Sequence, residues 1–142
     1  MEEVKCQEYM KTVPKLRMTN TYLGLLKKKD VNDLLSVYSD KNALPFFNSD
    51  NCDGDNFYYP TKEKMQDAIE FWLKSYDTGW FVRWVIVDKH TSEVIGSVEM
   101  FHRTADDDFN DVGVLRLDLR SDYGLPEPVY SEPRSVHFYV YF

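Results

Sequence analysis

The hydrophobic period of the chain changes at residue 80, and this change constrains the fold more than any other feature. Residues 80–88 (WFVRWVIVD) are apolar and rich in β-branched and aromatic side chains, as strands are. Two more segments of this type follow at residues 93–102 and 112–121, and the connections between the three are short. Strands joined by short connections pair in antiparallel fashion. The sequence therefore predicts a three-stranded antiparallel meander, in which Gly96 marks a site for a β-bulge.

The third segment of the meander alternates regularly between leucines and charged residues. The leucines fall on one face and the charged residues on the other: Leu115, Leu117 and Leu119 against Arg116, Asp118 and Arg120. This pattern is typical of an antiparallel strand whose two faces meet different surroundings.

Two helices are predicted before the meander. Residues 30–39 carry Asp30 at the N-cap position and apolar residues at helical spacing. The second helix begins near Thr61 and ends at Gly79. Its apolar stripe comprises Met65, Ala68, Ile69, Trp72, Leu73 and Tyr76. With a short apolar strand at residues 21–26, the order of elements predicts an α+β fold in which the two helices pack on an antiparallel meander sheet.

Length and composition predict a single domain. The chain has 142 residues, of which 43% are hydrophobic. We expect an N-terminal arm at residues 1–20, a domain core at 21–121, and a proline-rich linker with a strand-like tail at 122–142.

The net charge of −7 argues against a nucleic-acid partner and favours cationic ligands. No window is apolar enough for a membrane span and the N-terminus lacks a signal sequence, so we expect a cytoplasmic protein without a membrane partner.

Two acidic segments have the composition of a metal site. Residues 49–55 imitate a calcium loop, but its twelfth position, which should carry a bidentate Glu, is Pro60. A solvated loop is the better interpretation. The turn between the second and third strands of the meander could bind a cation or an amine, although runs of like charge in a hairpin turn usually only increase solubility. Its acidic residues are Asp106, Asp107, Asp108 and Asp111. We predict no metal site.

Residue chemistry alone predicts no catalytic constellation. Cys52 lies in a polar loop without cationic neighbours in sequence that would activate it. His102 could act as a base, but Glu99 falls on the opposite face of the same strand, so the two form no dyad. The chain has no phosphate-binding loop and no nucleophile elbow.

Several local sequences resemble, in order, those of the GNAT-type N-acetyltransferases. Residues 22–34 resemble the first strand and the D-x-x-D-L helix of that family, and residues 39–47 resemble the passage that follows in its ribosomal-protein acetyltransferase branch. Residues 84–98 match W-x-I-x-x-x-x-T-x-x-x-I-G-x-V, the second and third strands, and residues 111–119 resemble the fourth. The resemblance covers about residues 20–121.

The resemblance implies an enzyme that transfers an acetyl group from acetyl-CoA to an amine on a small molecule or a peptide. It also implies that the fourth strand, around Leu117, Leu119 and Arg120, offers backbone groups to the pantetheine arm. The amine must lose a proton before it attacks, and a carboxylate commonly assists. Glu99 and Asp118, on adjacent strands, are the residues that we would test as base or amine-orienting groups. Whether they share a face depends on the strand register, and the simpler interpretation makes each a solvated strand residue.

The resemblance ends after the fourth strand. The family carries R/Q-x-x-G-x-G/A there, turning into a helix whose amides bind the pyrophosphate. In this chain the gap between Arg120 and Gly124 is one residue too long, and Pro126 opposes a helix. Residues 122–142 also leave no room for all of the family's later elements, so these are missing or replaced. The alternative is therefore a non-catalytic ligand-binding or protein-interaction module that uses the same half-fold.

The last residues of the chain offer a replacement for the family's fifth strand. Residues 136–142 (VHFYVYF) are rich in strand formers. Without a fifth strand the fourth would be an exposed apolar edge, which proteins usually cover. We predict that the tail forms a strand at this edge, within the chain or across to a second subunit of a homodimer.

Overall fold

An antiparallel sheet and the helices on one of its faces make an α+β fold. The computed structural model describes residues 20–47, 56–108 and 110–123, and the backbone of 137–140. The predicted N-terminal arm up to residue 19, the calcium-like loop with Cys52, and the linker at 124–136 lie outside the described residues. Among the described helices, none is long and apolar enough to cross a membrane.

The elements follow the predicted order. The sheet runs β1-β2-β3-β4-β5, with every neighbouring pair antiparallel. Its strands are β1 (Thr21–Leu25), β2 (Phe81–Asp88), β3 (Val94–Arg103), β4 (Val112–Leu119) and β5 (His137–Val140). The helices are α1 (Val31–Tyr38), the short α2 (Leu44–Phe47) and α3 (Lys62–Asp77), with single 3-10 turns at Lys28–Asp30 and Ser121–Tyr123.

Helix α3 has the ends that the sequence predicts. The Thr61 side chain accepts a hydrogen bond from the Lys64 N–H at 3.3 Å and caps the first turn. At the other end Gly79 has a φ of 79°. The N–H groups of Gly79 and Trp80 then bond back to the carbonyls of Tyr76 and Ser75, which is a Schellman motif. Trp80 thus belongs to the helix end, which is why β2 begins one residue later than predicted.

Helix α1 begins after Asp30 as predicted, but the capping contact differs. The Asp30 side chain makes no bond to the first turn of α1. Its carboxylate instead accepts from the Lys27 N–H at 2.8 Å and closes the preceding 3-10 turn. Partial burial raises the pKa of Asp30 above its usual value, although the Lys27 N–H opposes this change.

The register of the sheet confirms the predicted bulge. Ile86 pairs with Gly96 whereas Val87 pairs with Val94, so Ile95 is the extra residue. A Cβ added at Gly96 would meet the backbone oxygen of Asp118 on the neighbouring strand. Glycine is therefore required at this close approach of two backbones.

The tail forms the predicted strand within the described range 137–140. β5 pairs antiparallel with β4 over residues 113–116, with Val140 opposite Gly113 and His137 opposite Arg116. β4 itself ends at Leu119 rather than continuing to Ser121, because the 3-10 turn begins there.

The main core lies between the helices and one face of the sheet. Side chains of α1 and α3 that are at most 3% exposed pack against Val85 and Val87 of β2. These helix residues are Leu34, Val37, Tyr38, Met65, Ile69 and Trp72. On the opposite face, Val82 and Trp84 form a second, smaller apolar cluster.

Candidate functional site

A cluster of charged and polar side chains interrupts the apolar core on the helix-covered face of the sheet. The register places Arg83, Glu99 and Arg116 in one row across β2, β3 and β4. Ser97 and Asp118 lie in the next row, opposite each other. All five are at most 9% exposed. We call these five residues, together with Tyr38 of α1, the polar cluster.

Arg83 is the centre of the polar cluster. Its guanidinium pairs with the Glu99 carboxylate and donates to Tyr38 Oη and to Ser97 Oγ, each at 2.8 Å. It also lies 3.4 Å from Asp118 Oδ2. Burial by itself would lower the pKa of Arg83, but Glu99 and the neighbouring groups raise it above its ordinary value, so the side chain stays a cation.

Asp118 is bound from three directions. The Tyr38 hydroxyl donates to Oδ2 at 2.6 Å, Arg116 Nε donates to Oδ1 at 3.2 Å, and Arg83 completes the set. Burial raises the pKa of Tyr38 well above its usual value of 10.0, so the phenol remains a neutral hydrogen-bond donor. The two arginines and two carboxylates of the polar cluster balance in charge, as buried ions require.

An aromatic cleft of about 650 Å³ adjoins the polar cluster. It lies between residues 56–60, helix α3 and the sheet. Its walls are mainly Phe57, Tyr58, Tyr59, Pro60, Ala68, Phe71, Trp72 and Phe81, and Asn56, Lys64, Asp67 and Glu99 supply its polar groups. The volume is within the range of small-molecule sites, about 300–1,000 Å³.

Buried cations support two of the cleft's rings. The Arg83 guanidinium carbon lies 4.1 Å from the centroid of Trp72, and that of Arg116 lies 3.7 Å from the centroid of Phe57. Arg116 also donates to the backbone oxygen of Phe47 at the end of α2. The two arginines of the polar cluster therefore contact rings of the cleft as well as the buried carboxylates.

The structure brings the two carboxylates predicted from the sequence onto one face. Glu99 and Asp118 project from adjacent strands and both contact Arg83. The interpretation of each as a solvated strand residue is wrong, because they are 9% and 2% exposed. Glu99 lines the cleft, whereas Asp118 is enclosed by Tyr38 and the two arginines.

Sequence reasoning missed the residues that organise these carboxylates. Arg83 stands alone in an otherwise apolar run before its aspartate, and this is the one signal that could have identified it. Tyr38 and Ser97, which contact each other, lie 59 positions apart in sequence, so no local pattern indicates that they meet.

The outer edge of β4 bears on the predicted acetyl-CoA contacts. The Arg120 N–H donates to the Ile95 carbonyl at 2.9 Å and so points to β3. Backbone groups alternate along a strand, so those of Leu117 and Leu119 point to the opposite edge. Within the part of the chain that the structure describes, β5 pairs only with residues 113–116 and leaves this edge without a strand partner at Leu117 and Leu119. The Arg120 side chain is bound by Asp122 at 2.6 Å.

The turn that follows β4 is held by internal contacts. The Ser121 N–H donates to Asp40 Oδ2 at 2.8 Å, and the Tyr123 hydroxyl donates to Asp88 Oδ2 at 2.6 Å. Partial burial alone would raise the pKa of Asp40, but the Ser121 amide lowers it below its usual value. The Ser121 amide is thus bonded to a carboxylate of the chain itself.

The other groups considered from the sequence lie away from this site. His102, at the end of β3, is bonded to Asp111 at 2.6 Å, and both side chains are exposed. Asp107 of the acidic turn is bound by both terminal nitrogens of Arg103, at 2.7 and 2.6 Å. Among the residues described, no group of three or more His, Cys, Asp or Glu could hold a metal ion.

Comparison of the chain with protein-family models, with curated proteins and with solved structures gave no match.

Proposed function

We propose that the chain is a GNAT-like N-acetyltransferase, which transfers an acetyl group from acetyl-CoA to an amine held in the aromatic cleft. The observation that carries the proposal is the placement of Glu99, whose carboxylate is fixed by Arg83 and lines a cleft of small-molecule size. The order of elements adds support, since two main helices connect the first strand to an antiparallel meander, as the resemblance implies.

Glu99 is suited to act on the amine. Among the described residues its hydrogen bond to Arg83 uses Oε2, and a carboxylate offers further lone pairs to a second donor. An ammonium group at Glu99 would give up a proton to the carboxylate, directly or through water. The amine nitrogen then attacks the thioester carbonyl, a C–N bond forms, the C–S bond breaks, and the departing thiolate takes up a proton.

The resemblance implies that acetyl-CoA binds along β4. Within the described residues, β5 pairs with residues 113–116 of β4, and the adjoining edge at Leu117 and Leu119 is one strand away from Glu99. The turn after β4 fits less well, because the Ser121 amide is bound to Asp40. We assign Leu117 and Leu119 to the pantetheine arm and give Asp118 a positioning role through Arg83.

Release of the CoA thiol in the presence of amines tests the proposal. We expect acetyl-CoA to be consumed by the intact chain and Glu99→Gln to lower the rate at least about tenfold, as loss of a general base does. Glu70→Gln is the matched control, because Glu70 is exposed on the other side of α3 from the core and pairs with Lys28 in a surface contact. Absence of amine-dependent thiol release with folded protein would overturn the proposal.

The second candidate is a non-catalytic module that binds its ligand in the same cleft. It is favoured by the Asp40–Ser121 contact, which places an internal carboxylate on the turn where the family binds pyrophosphate. A ligand present at a hundred times its dissociation constant adds about 2.7 kcal/mol to stability. An amine that raises the melting temperature, together with no shift at millimolar acetyl-CoA, would select this alternative.

The cytoplasmic location and the homodimer stay predictions.

A further inference from the structure

We propose that the cleft binds a small organic cation with a single ammonium group on a flat, apolar body, in preference to a polyamine or an aminoglycoside. This inference deepens the proposed function and rests on it in one respect: the amine is the acetyl acceptor only if the proposed function is right. The class of ligand is inferred from the chemistry of the cleft.

The walls of the cleft select a flat, apolar body. The guanidinium groups of Arg116 and Arg83 lie over the rings of Phe57 and Trp72, respectively. Phe71 lines the cleft and packs against Phe81, with ring centroids 6.1 Å apart, and is 55% exposed. Its ring therefore has surface left for a ligand, and aromatic pairs of this kind contribute beyond the area that they bury.

The charges at the cleft select one cationic group. Glu99 is the charged residue that the sheet presents to the lining, whereas the Arg83 side chain is only 1% exposed. A ligand meets the carboxylate and not the guanidinium. Charge-assisted hydrogen bonds to a carboxylate and the faces of aromatic rings both favour an ammonium group.

Among the described residues that line the cleft, a second ammonium group finds no partner comparable to Glu99. The remaining charges of the lining, Lys64 and Asp67, are exposed, one turn apart on α3, and opposite in sign. The attraction of Asp67 for an approaching ammonium group is therefore offset by the repulsion from Lys64. The hydroxyls of an aminoglycoside would lose water against aromatic walls without gaining hydrogen bonds, which costs free energy.

Calorimetric titration of the full chain, without acetyl-CoA, tests this inference. The probes are 2-phenylethylamine, its neutral analogue 2-phenylethanol, and spermidine. We expect 2-phenylethylamine to bind at least about tenfold more tightly than either of the others, the ratio that corresponds to one charge-assisted hydrogen bond. Equal binding of the amine and the alcohol, or tighter binding of spermidine, would overturn the inference.

Two aromatic variants localise the binding without disturbing the polar cluster. Phe71→Ala removes a wall of the cleft and is expected to weaken 2-phenylethylamine at least about fivefold. Trp80→Ala is the matched control, since Trp80 is 70% exposed and is not part of the lining. Unchanged affinity in Phe71→Ala would place the ligand elsewhere and overturn the inference.

The outcomes separate this inference from the proposed function. Binding of 2-phenylethylamine without thiol release from acetyl-CoA supports the ligand class and rejects the acetyltransferase. Acetylation of spermidine without binding of 2-phenylethylamine rejects the ligand class and supports the acetyltransferase.

Discussion

Replacement of Arg83 by methionine tests whether the polar cluster is held together by its central cation. Arg83→Met keeps an unbranched stem of similar length but removes the guanidinium. That group bonds to Glu99, Tyr38, Ser97 and Asp118 and stacks on a tryptophan ring. Two carboxylates then share one remaining cation, Arg116, in a buried site.

The expected loss is large compared with the stability of a small domain. Removing one partner of a buried ion pair costs about 3–5 kcal/mol, because the other charge stays buried without compensation. A domain of this size unfolds with a free energy of about 5–15 kcal/mol. Arg83→Met should therefore shift the urea midpoint strongly, and Glu99→Gln should do so less, since Glu99 is closer to the solvent of the cleft.

A double-mutant cycle measures the coupling of the pair. Arg83→Met combined with Glu99→Gln restores charge balance, so the double variant should lose less than the sum of the single losses, by about 1–3 kcal/mol. The exposed pair of Lys28 and Glu70, with side chains 73% and 64% exposed, provides the matched cycle. Its coupling should not exceed about 1 kcal/mol.

Equilibrium unfolding in urea, followed by circular dichroism at pH 7, gives these free energies. A loss below about 1 kcal/mol of unfolding free energy in Arg83→Met would refute the reasoning. Removal of an exposed charge costs no more than that, whereas removal of a buried cation with four bonded partners should cost more. Equal coupling in the buried and the exposed cycles would refute it as well.

Other variants test the remaining parts of the structure. Tyr38→Phe removes the hydroxyl that joins α1 to the polar cluster and should cost about 1–3 kcal/mol of unfolding free energy, whereas Tyr22→Phe on β1 should change it by less than about 0.5 kcal/mol. Gly96→Ala pushes a Cβ against the neighbouring strand and should cost about 1–3 kcal/mol in the same urea assay; an unchanged value would contradict the register. Because the pKa of Asp40 is lowered below 3.8, this carboxylate stabilises the fold above that pH and the contribution is lost as the pH falls through the lower, folded value. In Asp40→Asn the melting temperature should therefore fall less as the pH is lowered than it does in the unmodified chain. An unchanged fall would count against the contact. Deleting residues 137–142 uncovers the β4 edge and should lower solubility or raise the mass in light scattering, and an unchanged mass and solubility would show that β5 does not protect the edge.

The elements could be predicted because their signals are local. The stripe of α3, its threonine cap and the glycine at its end lie within one helix length, and the structure confirms all three. The three-stranded meander follows in the same way from alternation and short connections. Errors occur at the ends of elements, as at Trp80, where a Schellman hydrogen bond draws a strand-forming residue into a helix terminus.

The candidate site could be predicted only in part, because it depends on register. Glu99 and Asp118 were identified from the sequence, but whether they share a face is decided by the pairing of β3 with β4, and a shift of one residue would separate them. The alternation of β4 shows two faces without showing which one the helices cover. They cover the charged face, so Arg116 and Asp118 are buried while Leu115, Leu117 and Leu119 are only partly so.

From the burial of the charged face we infer that the polar cluster has a role beyond stability. Replacing buried ion pairs by apolar residues of similar volume is often neutral or stabilising, so stability alone does not account for four charges in this core. Arg83 is bound by Tyr38, Ser97 and Asp118 as well as by Glu99, and the first three contacts fix its position whether or not Glu99 is present. The guanidinium is thus held ready to orient one carboxylate at the wall of the cleft, as a binding or catalytic group requires. If this interpretation is right, Tyr38→Phe will weaken ligand binding in the cleft although Tyr38 does not line it, and Tyr22→Phe will leave binding unchanged.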